Sequence, residues 1–583
     1  MTNREIADIF SRIGDMLDIL GENRFKVLAY RRAAENIVQL PQDLRTYWKA
    51  GTLQDIPGIG SAIEEKIDEL LTTGRLEFYE RLQDQVPLGV VSLLEVPDLG
   101  PKTAKLIWEK LGVQSVAELE TAARSGKLRT LPGLGAKSEA KILAGIEALH
   151  RRSDRIPLGT AWPVATELLA GLKATCPEML DGTVAGSLRR MRSTIGDIDL
   201  LAASEAPAKV MRTFAALPTV AEVLVSGQTK TSVRLHNGLQ VDLRVLEPNR
   251  WGAALQYFTG SQAHVVHVRE LAQKQGLSLS EYGFKREDGS EILCPQEEDV
   301  YETLGLPWIP PELREDRGEI QAALAGKLPK LVEWDDILGD LHAHTDWSDG
   351  TGTLKEMAEA ARTRGYRYLV ISDHTQSLGI ANGLNPERQR AQRAEIDALN
   401  AGFQDFSLLQ GCELEIKADG SLDLPDEVLA GLDFVVASVH TSLRQDQAQI
   451  TQRTMNALHN RYVDVIGHPS GRLLGQREES AVDLEAVMQA AAQTGTALEV
   501  NSIPNRLDLD DVHVRRALEV GVKIAINSDA HHPGGLDSLA YGLATARRGW
   551  ATAPDVLNTR SLAELRAWRQ ARITRILRSG GEP

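Results

Sequence analysis

Gly186-Ser187-Leu188-Arg189-Arg190, followed by Gly196-Asp197-Ile198-Asp199-Leu200-Leu201, is the stretch on which the reading of the fold turns. Its second part alternates as a strand does, so Asp197 and Asp199 project to one face. Two anions that close repel unless a cation lies between them, and Mg²⁺ favours carboxylate oxygens and phosphates. Asp242 stands in a second alternating run, Leu239-Gln240-Val241-Asp242-Leu243-Arg244-Val245. It can complete a two-metal site for in-line phosphoryl transfer. An isolated Asp-x-Asp is more often a solvent-facing edge strand. Here a Gly-Ser turn and a basic residue precede it, which is what a triphosphate beside two metals requires. Tyr257-Phe258-Thr259-Gly260-Ser261 follows downstream.

Towards the N-terminus the pattern becomes helical and repetitive. Gln54-Asp55-Ile56-Pro57-Gly58-Ile59-Gly60, Glu95-Val96-Pro97-Asp98-Leu99-Gly100-Pro101-Lys102 and Thr130-Leu131-Pro132-Gly133-Leu134-Gly135-Ala136-Lys137 each precede apolar residues at helical spacing. Such a turn opens backbone N–H groups at a helix start, a geometry that suits phosphate. One copy would be an ordinary glycine-capped turn, whereas three at related spacing point to function. In the second copy Asp98 replaces the first glycine. Lys102 and Lys137 can add phosphate contacts.

Towards the C-terminus, apolar runs such as Tyr368–Ser372, Phe434–Val439, Ala497–Val500 and Val522–Asn527 alternate with helical segments, as in β/α repetition. Nine of the 13 histidines lie beyond residue 335. Most of His342, His344, Asp349, His374, Glu413, His440, His468, Asp529 and His531 follow a strand-like run. In a β/α barrel such strand ends share one mouth. Imidazole and carboxylate without thiolate suit Mn²⁺, Zn²⁺ or Fe²⁺, about three ions in all.

The whole chain has 583 residues and a formal net charge of −16. That charge argues against a surface that grips nucleic acid all over. Residues 101–155 nevertheless hold 11 Lys/Arg against 6 Asp/Glu, a local basic island. Three scattered cysteines exclude a disulfide framework and point to a reducing compartment. No apolar leader or membrane-length run is present, and a cytoplasmic location is expected.

The palm-like motifs together resemble family X DNA polymerases. The histidine-rich half resembles the polymerase and histidinol phosphatase (PHP) family, a distorted (β/α)₇ barrel with a trinuclear phosphoesterase site. The resemblance implies that Asp197, Asp199 and Asp242 hold two Mg²⁺ or Mn²⁺ ions. It implies that Ser187, Arg190 and Gly196 contact the triphosphate of a deoxynucleotide, with Tyr257, Phe258 and Gly260 against its sugar. The three turns become helix-hairpin-helix motifs. DNA contacts then fall to Gly58, Gly60, Gly100, Lys102, Gly133, Gly135 and Lys137, to Lys26 and Tyr30 in a 5′-phosphate pocket, and to Arg269 near the template. Lys66 matches a lyase lysine, although Ala62 replaces another pocket lysine and Glu64 and Glu65 oppose a depressed pKa. Val265 stands where many relatives carry asparagine. Gln240 stands where an arginine assists the third aspartate.

The expected architecture is multidomain α+β and α/β. Residues 1–85 form a lyase-like helical domain, 86–155 a second helix-hairpin-helix domain, 156–250 a nucleotidyltransferase palm and 251–320 a thumb. Residues 321–337 form a linker and 338–575 the PHP domain. The expected function is gap filling in DNA repair, including base excision repair, joined to 3′–5′ exonuclease or 3′-end processing. The expected partner is gapped or 3′-recessed DNA, bound by a monomer and away from membranes. Two alternatives are a nuclease or phosphatase whose polymerase half is only a DNA clamp, and a non-catalytic DNA-end scaffold.

Overall fold

The computed structural model describes residues 3–39, 44–56, 58–96, 99–152, 155–227 and 229–578. They form two compact units, Met1–Asp154 and Arg155–Pro583.

The first unit is helical. Ile6, Phe10, Ile13 and Leu17 recur every three or four residues on Asn3–Leu20 and are buried against Arg24–Gln39. The same core takes in Ile67, Ile107, Leu119 and Ile146. Buried residues on both sides of residue 85 thus share one apolar interior. The three hairpin turns share a backbone signature. Ile59, Leu99 and Leu134 N–H donate to Ile56, Val96 and Leu131 carbonyls, each at 3.1 Å. Gly58 and Gly133 are left-handed, both at φ +79°. Their counterpart Asp98 lies outside the described residues. The following helices begin at Ser61, Pro101 and Ala136. A Cβ built on Gly60, Gly100 or Gly135 would meet nothing within 4 Å, so these helix starts face open space.

The second unit opens with a five-stranded sheet in the order Asp181–Val184, Ile198–Ala203, Gln240–Leu246, Lys230–Leu235, Val220–Ser226. Its central pair, Ile198–Ala203 and Gln240–Leu246, is parallel with Asp199 opposite Asp242. Helices Leu158–Thr175 and Pro207–Ala215 cover it. The thumb region packs helices Trp251–Thr259, Gln262–Lys274 and Glu297–Thr303 with a small antiparallel sheet around Phe284, Val300 and Tyr301. From Gly339, seven parallel strands follow in sequential order, from Gly339–Ala343 to Ile524–Asn527. The seven are buried almost throughout, as parallel strands covered on both faces are. Asp529 N–H to His342 carbonyl (2.9 Å) and His344 N–H to Ala530 carbonyl (2.8 Å) join the last strand's exit to the first strand, so the sheet is nearly a closed barrel.

Residues 321–337, expected as a linker, are packed. Leu331 joins the thumb core and Val332 the barrel core. Val332 N–H donates to the Ala551 carbonyl, and Arg547 reaches both the Val332 carbonyl and Glu312. Leu331 and Val332, adjacent in sequence, thus anchor the stretch to a core on either side. The barrel also enters the palm directly. Leu507 is fully buried in the palm core, and a Cβ on Gly159 would stand 2.1 Å from Pro504. Leu507→Ala is therefore expected to destabilise the second unit by about 2–4 kcal/mol, seen as a lower denaturation midpoint, as buried leucine truncations do. An unchanged midpoint would mean that palm and barrel do not share a core.

Candidate active sites

At the palm site, one ligand atom from each of Asp197, Asp199 and Asp242 lies within 4.8 Å of the others. Register explains the convergence: Asp199 and Asp242 are directly opposed on parallel strands, and Asp197 lies just before the first. Burial, then Asp197 and Asp242, pushes the Asp199 carboxyl up to about 7. An all-oxygen donor set under such repulsion fits hard divalent cations. Gly186 is left-handed at φ +57°, and a Cβ there would stand 2.5 Å from Asp199 Oδ2. The Gly-Ser turn thus sits on the metal-type carboxylate, tied by the Ala185 N–H to Asp199 carbonyl bond (2.8 Å).

Ser187 is half-buried beside this turn, whereas Gly196 is exposed. Arg190 donates through Nε to Glu315 (3.0 Å) and through Nη1 to the Thr259 carbonyl. That bond ties it to the Tyr257-Phe258-Thr259-Gly260 segment, where a Cβ on Gly260 would stand 2.9 Å from Arg190 Nη1. Tyr257 and Phe258 meet edge-on at 5.1 Å. Arg269 is exposed and Val265 buried on helix Gln262–Lys274.

Three cations around the palm site, Lys230, Arg155 and Arg244, were not singled out from the sequence. Lys230 Nζ pairs with Asp242 Oδ2, while Gln240 reaches the other oxygen only at 3.4 Å. Lys230 therefore places a cation on the third aspartate, which Gln240 cannot do. Arg155 bonds Thr194 through Nε at 2.8 Å, two residues before Gly196, and Arg244 stacks on Phe258 at 4.5 Å. Arg244 was recoverable, since it follows Asp242 by two on one strand. Lys230 required the antiparallel pairing that sets Ser232 against Asp242.

All nine residues named for the barrel mouth converge. Ligand atoms cluster as His342, His344 and Asp529, as His344, Asp349, His374 and His531, and as His374, Glu413 and His440. His468 joins through Nε2 to Glu413 Oε1 (2.9 Å). His468 (φ +29°) and Asp529 (φ +52°) are both left-handed, a strained conformation at two strand ends. His342 and His344 are fully buried, whereas Asp349, His440 and His531 form the more open side. His344 Nδ1 and His374 Nδ1 are buried without a hydrogen-bond partner, although His374 Nδ1 lies 3.0 Å from Glu413. Ring nitrogens that face carboxylates without hydrogen-bond alignment suit metal coordination. Burial opposes charging, yet Glu413 and Glu415 push the His440 imidazole up to about 10. Burial, then His531 and His374, draws His344 down to about 4.

A supporting shell escaped the sequence reading. Glu499 accepts from His342 Nδ1 (2.7 Å) and from the His468 N–H (2.7 Å). Glu415 holds His440 Nδ1 at 2.7 Å. Asp373 braces the loop between two ligands through Thr345 and Ser348. Glu415 follows Glu413 by two, a signal that was available. Glu499 was not detectable, because only barrel closure brings it to His342.

In the N-terminal unit, Lys66 and Lys26 lie 5.2 and 5.7 Å from the Phe78 ring, on which Tyr30 stacks at 5.9 Å. Lys66 also donates to the Ala62 carbonyl. Lys102 and Lys137 each sit one or two residues into a helix that follows a hairpin turn.

Four family models match the chain: a helix-hairpin-helix domain (1–76), a SAM-like helix-hairpin-helix tandem (90–148), the DNA polymerase beta thumb (254–315) and the PHP domain (340–503). The DNA polymerase/3′-5′ exonuclease PolX of Bacillus subtilis is 39% identical over 97% of this chain and 99% of its own. This chain belongs to the bacterial PolX family. Rat DNA polymerase lambda is 25% identical over 54% of the chain and 56% of its own. A probable phosphatase of Thermoanaerobacter sp. strain X514 is 30% identical over 38% of the chain and 89% of its own. Among the described residues, no helix is long and apolar enough to cross a membrane.

A carboxyl raised from 3.8 to about 7 keeps its proton in the fold when the unfolded chain has lost it. Metal-free stability should therefore fall as pH rises from about 4 to 7, and Asp199→Asn should raise the unfolding free energy at pH 8 in chelator by up to about 4 kcal/mol, read as a higher denaturation midpoint. A midpoint unchanged by the substitution would mean that neither burial nor the neighbouring carboxylates penalise the Asp199 charge. Glu499→Gln should weaken metal retention at the barrel mouth by about 10–100-fold, read by metal analysis after dialysis. Full retention would deny Glu499 its supporting role.

Proposed function

We propose that this chain is a template-directed DNA polymerase that fills short gaps and carries a metal-dependent 3′–5′ exonuclease in its barrel. The observation that carries the reading is the opposed Asp199–Asp242 pair beneath the Gly186 turn, with a separate mouth of nine ligands in the same chain. Asp197, Asp199 and Asp242 would hold two Mg²⁺ or Mn²⁺ ions, which supply charge neutralisation for phosphoryl transfer. Asp242 would take the proton of the primer 3′-hydroxyl, with Lys230 orienting its carboxylate. Ser187, Arg190 and Gly196 bind the triphosphate, and Arg155 supports the strand that presents Gly196. Tyr257, Phe258 and Gly260 face the sugar, where a ribose 2′-hydroxyl would collide. Arg269 faces the template.

In the barrel, the nine ligands would hold about three ions of Mn²⁺, Zn²⁺ or Fe²⁺, which supply an activated water for attack on phosphorus. Deep burial of His342 and His344 and the more open edge at Asp349, His440 and His531 suit a strand end entering from one side. Removal of a 3′-phosphate is related chemistry, since only the leaving group differs. The hairpin turns at Gly58–Gly60, Gly100–Lys102 and Gly133–Lys137 fit DNA backbone on duplex flanks. Lys66, Lys26 and Tyr30 around Phe78 fit a 5′-phosphate and abasic-sugar pocket, and borohydride trapping on Lys66 tests that role.

The experiment uses a one-nucleotide gap with a labelled primer. Asp242→Ala should reduce extension by about 10³-fold or more and leave shortening unchanged, and His344→Ala should do the reverse. Joint loss of both activities in either variant would refute two independent sites. Shortening without extension by the wild type would favour the nuclease-with-clamp reading.

A further inference from the structure

Arg548, on the barrel helix Leu539–Arg548, is 3% exposed and belongs to neither set of active-site residues. Its guanidinium bridges the two halves, with Asp511 on the barrel side and Arg190 and Glu315 in the polymerase half. Nη1 donates to the Arg190 carbonyl at 2.6 Å and to Glu315 Oε1 at 3.1 Å, while Nη2 donates to Asp511 Oδ2 at 2.8 Å. Glu315 is itself 9% exposed and is shared by Arg190 (3.0 Å), Arg192 (3.2 Å) and Arg548. Burial alone would raise the Glu315 carboxyl, but Arg548 and Arg190 hold it down to about 2, so it remains an anion.

Arg190 is thus fixed at both ends. Its carbonyl is held by Arg548, its Nε by Glu315 and its Nη1 by the Thr259 carbonyl. Among the described residues nothing bonds its Nη2, which leaves that donor for a ligand. A buried guanidinium that satisfies three acceptors in a planar fork constrains them more tightly than a point charge could. Removing it leaves Glu315 to move with Arg190 and frees the turn that carries the nucleotide-binding residues.

We propose that Arg548 is a positioning residue of the polymerase: the nuclease barrel lends one arginine that holds Glu315 and, through it, presents Arg190 to the incoming triphosphate. This rests on the reading of Arg190 as a triphosphate ligand. It makes the barrel a structural component of the polymerase site as well as a second enzyme.

The test measures gap-filling extension across deoxynucleotide concentration for wild type, Arg548→Ala, Arg548→Lys and Arg190→Ala. Primer 3′ shortening by the same preparations reports on the integrity of the barrel. Arg548→Ala should raise the nucleotide KM about tenfold, the loss of a charged hydrogen bond, and change kcat by less than about threefold. Arg548→Lys keeps the charge without the fork, so it should fall between. Shortening should stay within about twofold of wild type. If Arg548→Ala fails to fold, the lysine variant decides alone. An unchanged KM with shortening intact overturns the proposal, as does an equal loss in both activities, which marks a general packing role. A wild type without extension, or an unchanged KM in Arg190→Ala, instead refutes the polymerase reading beneath it, and the proposal falls with it.

Discussion

Asp199 and Asp242 face each other on adjacent parallel strands, and their mutual repulsion is the constraint that the palm has to hold in place. Side-by-side carboxylates in a half-buried setting separate unless the backbone forbids it. Here the sheet forbids it: six consecutive residue pairs join Ile198–Ala203 to Gln240–Leu246. Gly186 closes over one carboxylate and Lys230 pairs with the other. The barrel mouth solves the same problem differently. Its ligands sit at the ends of separate strands, and acidic residues behind them, Glu499 and Glu415, hold the imidazoles in fixed orientation.

These two devices share one scaffold. The palm core is completed by Leu507 from the barrel, the thumb core by Leu331, and the seam carries Arg547 and Arg548 on acidic partners of the polymerase half. A seam of this kind, part apolar and part buried ion pair, resists sliding. It keeps residues from distant parts of the chain, such as Arg190 and Arg548, in a single arrangement. The stretch between the two halves is drawn into this seam rather than left as a tether.

Much of the architecture was legible in the chain. Asp-x-Asp alternation marked the palm strand, and the three Gly-punctuated turns were visible as repeats. Histidines and acids placed after apolar runs marked the barrel mouth, because a parallel barrel puts every strand end on one rim. Lys230, Arg155, Glu499 and Arg548 were not legible. Each is an ordinary charged residue whose importance comes from a neighbour that only strand pairing or packing supplies. Residues 321–337 read as a linker, yet Leu331 and Val332 within them are packed, for a related reason. Glu333, Asp335 and Asp336 make the end of the stretch acidic, while Leu331 and Val332 decide where it packs.

By itself, then, the sequence determined which residue types could hold metal and phosphate and on which strand or turn each would sit, since side-chain period and turn chemistry are local properties. Register between Asp199 and Asp242, closure that brings Glu499 to His342, and the passage of Arg548 into the polymerase half were decided only in three dimensions. These depend on hydrogen-bond pairing and core packing between segments tens to hundreds of residues apart, and no local pattern in the chain encodes such pairings.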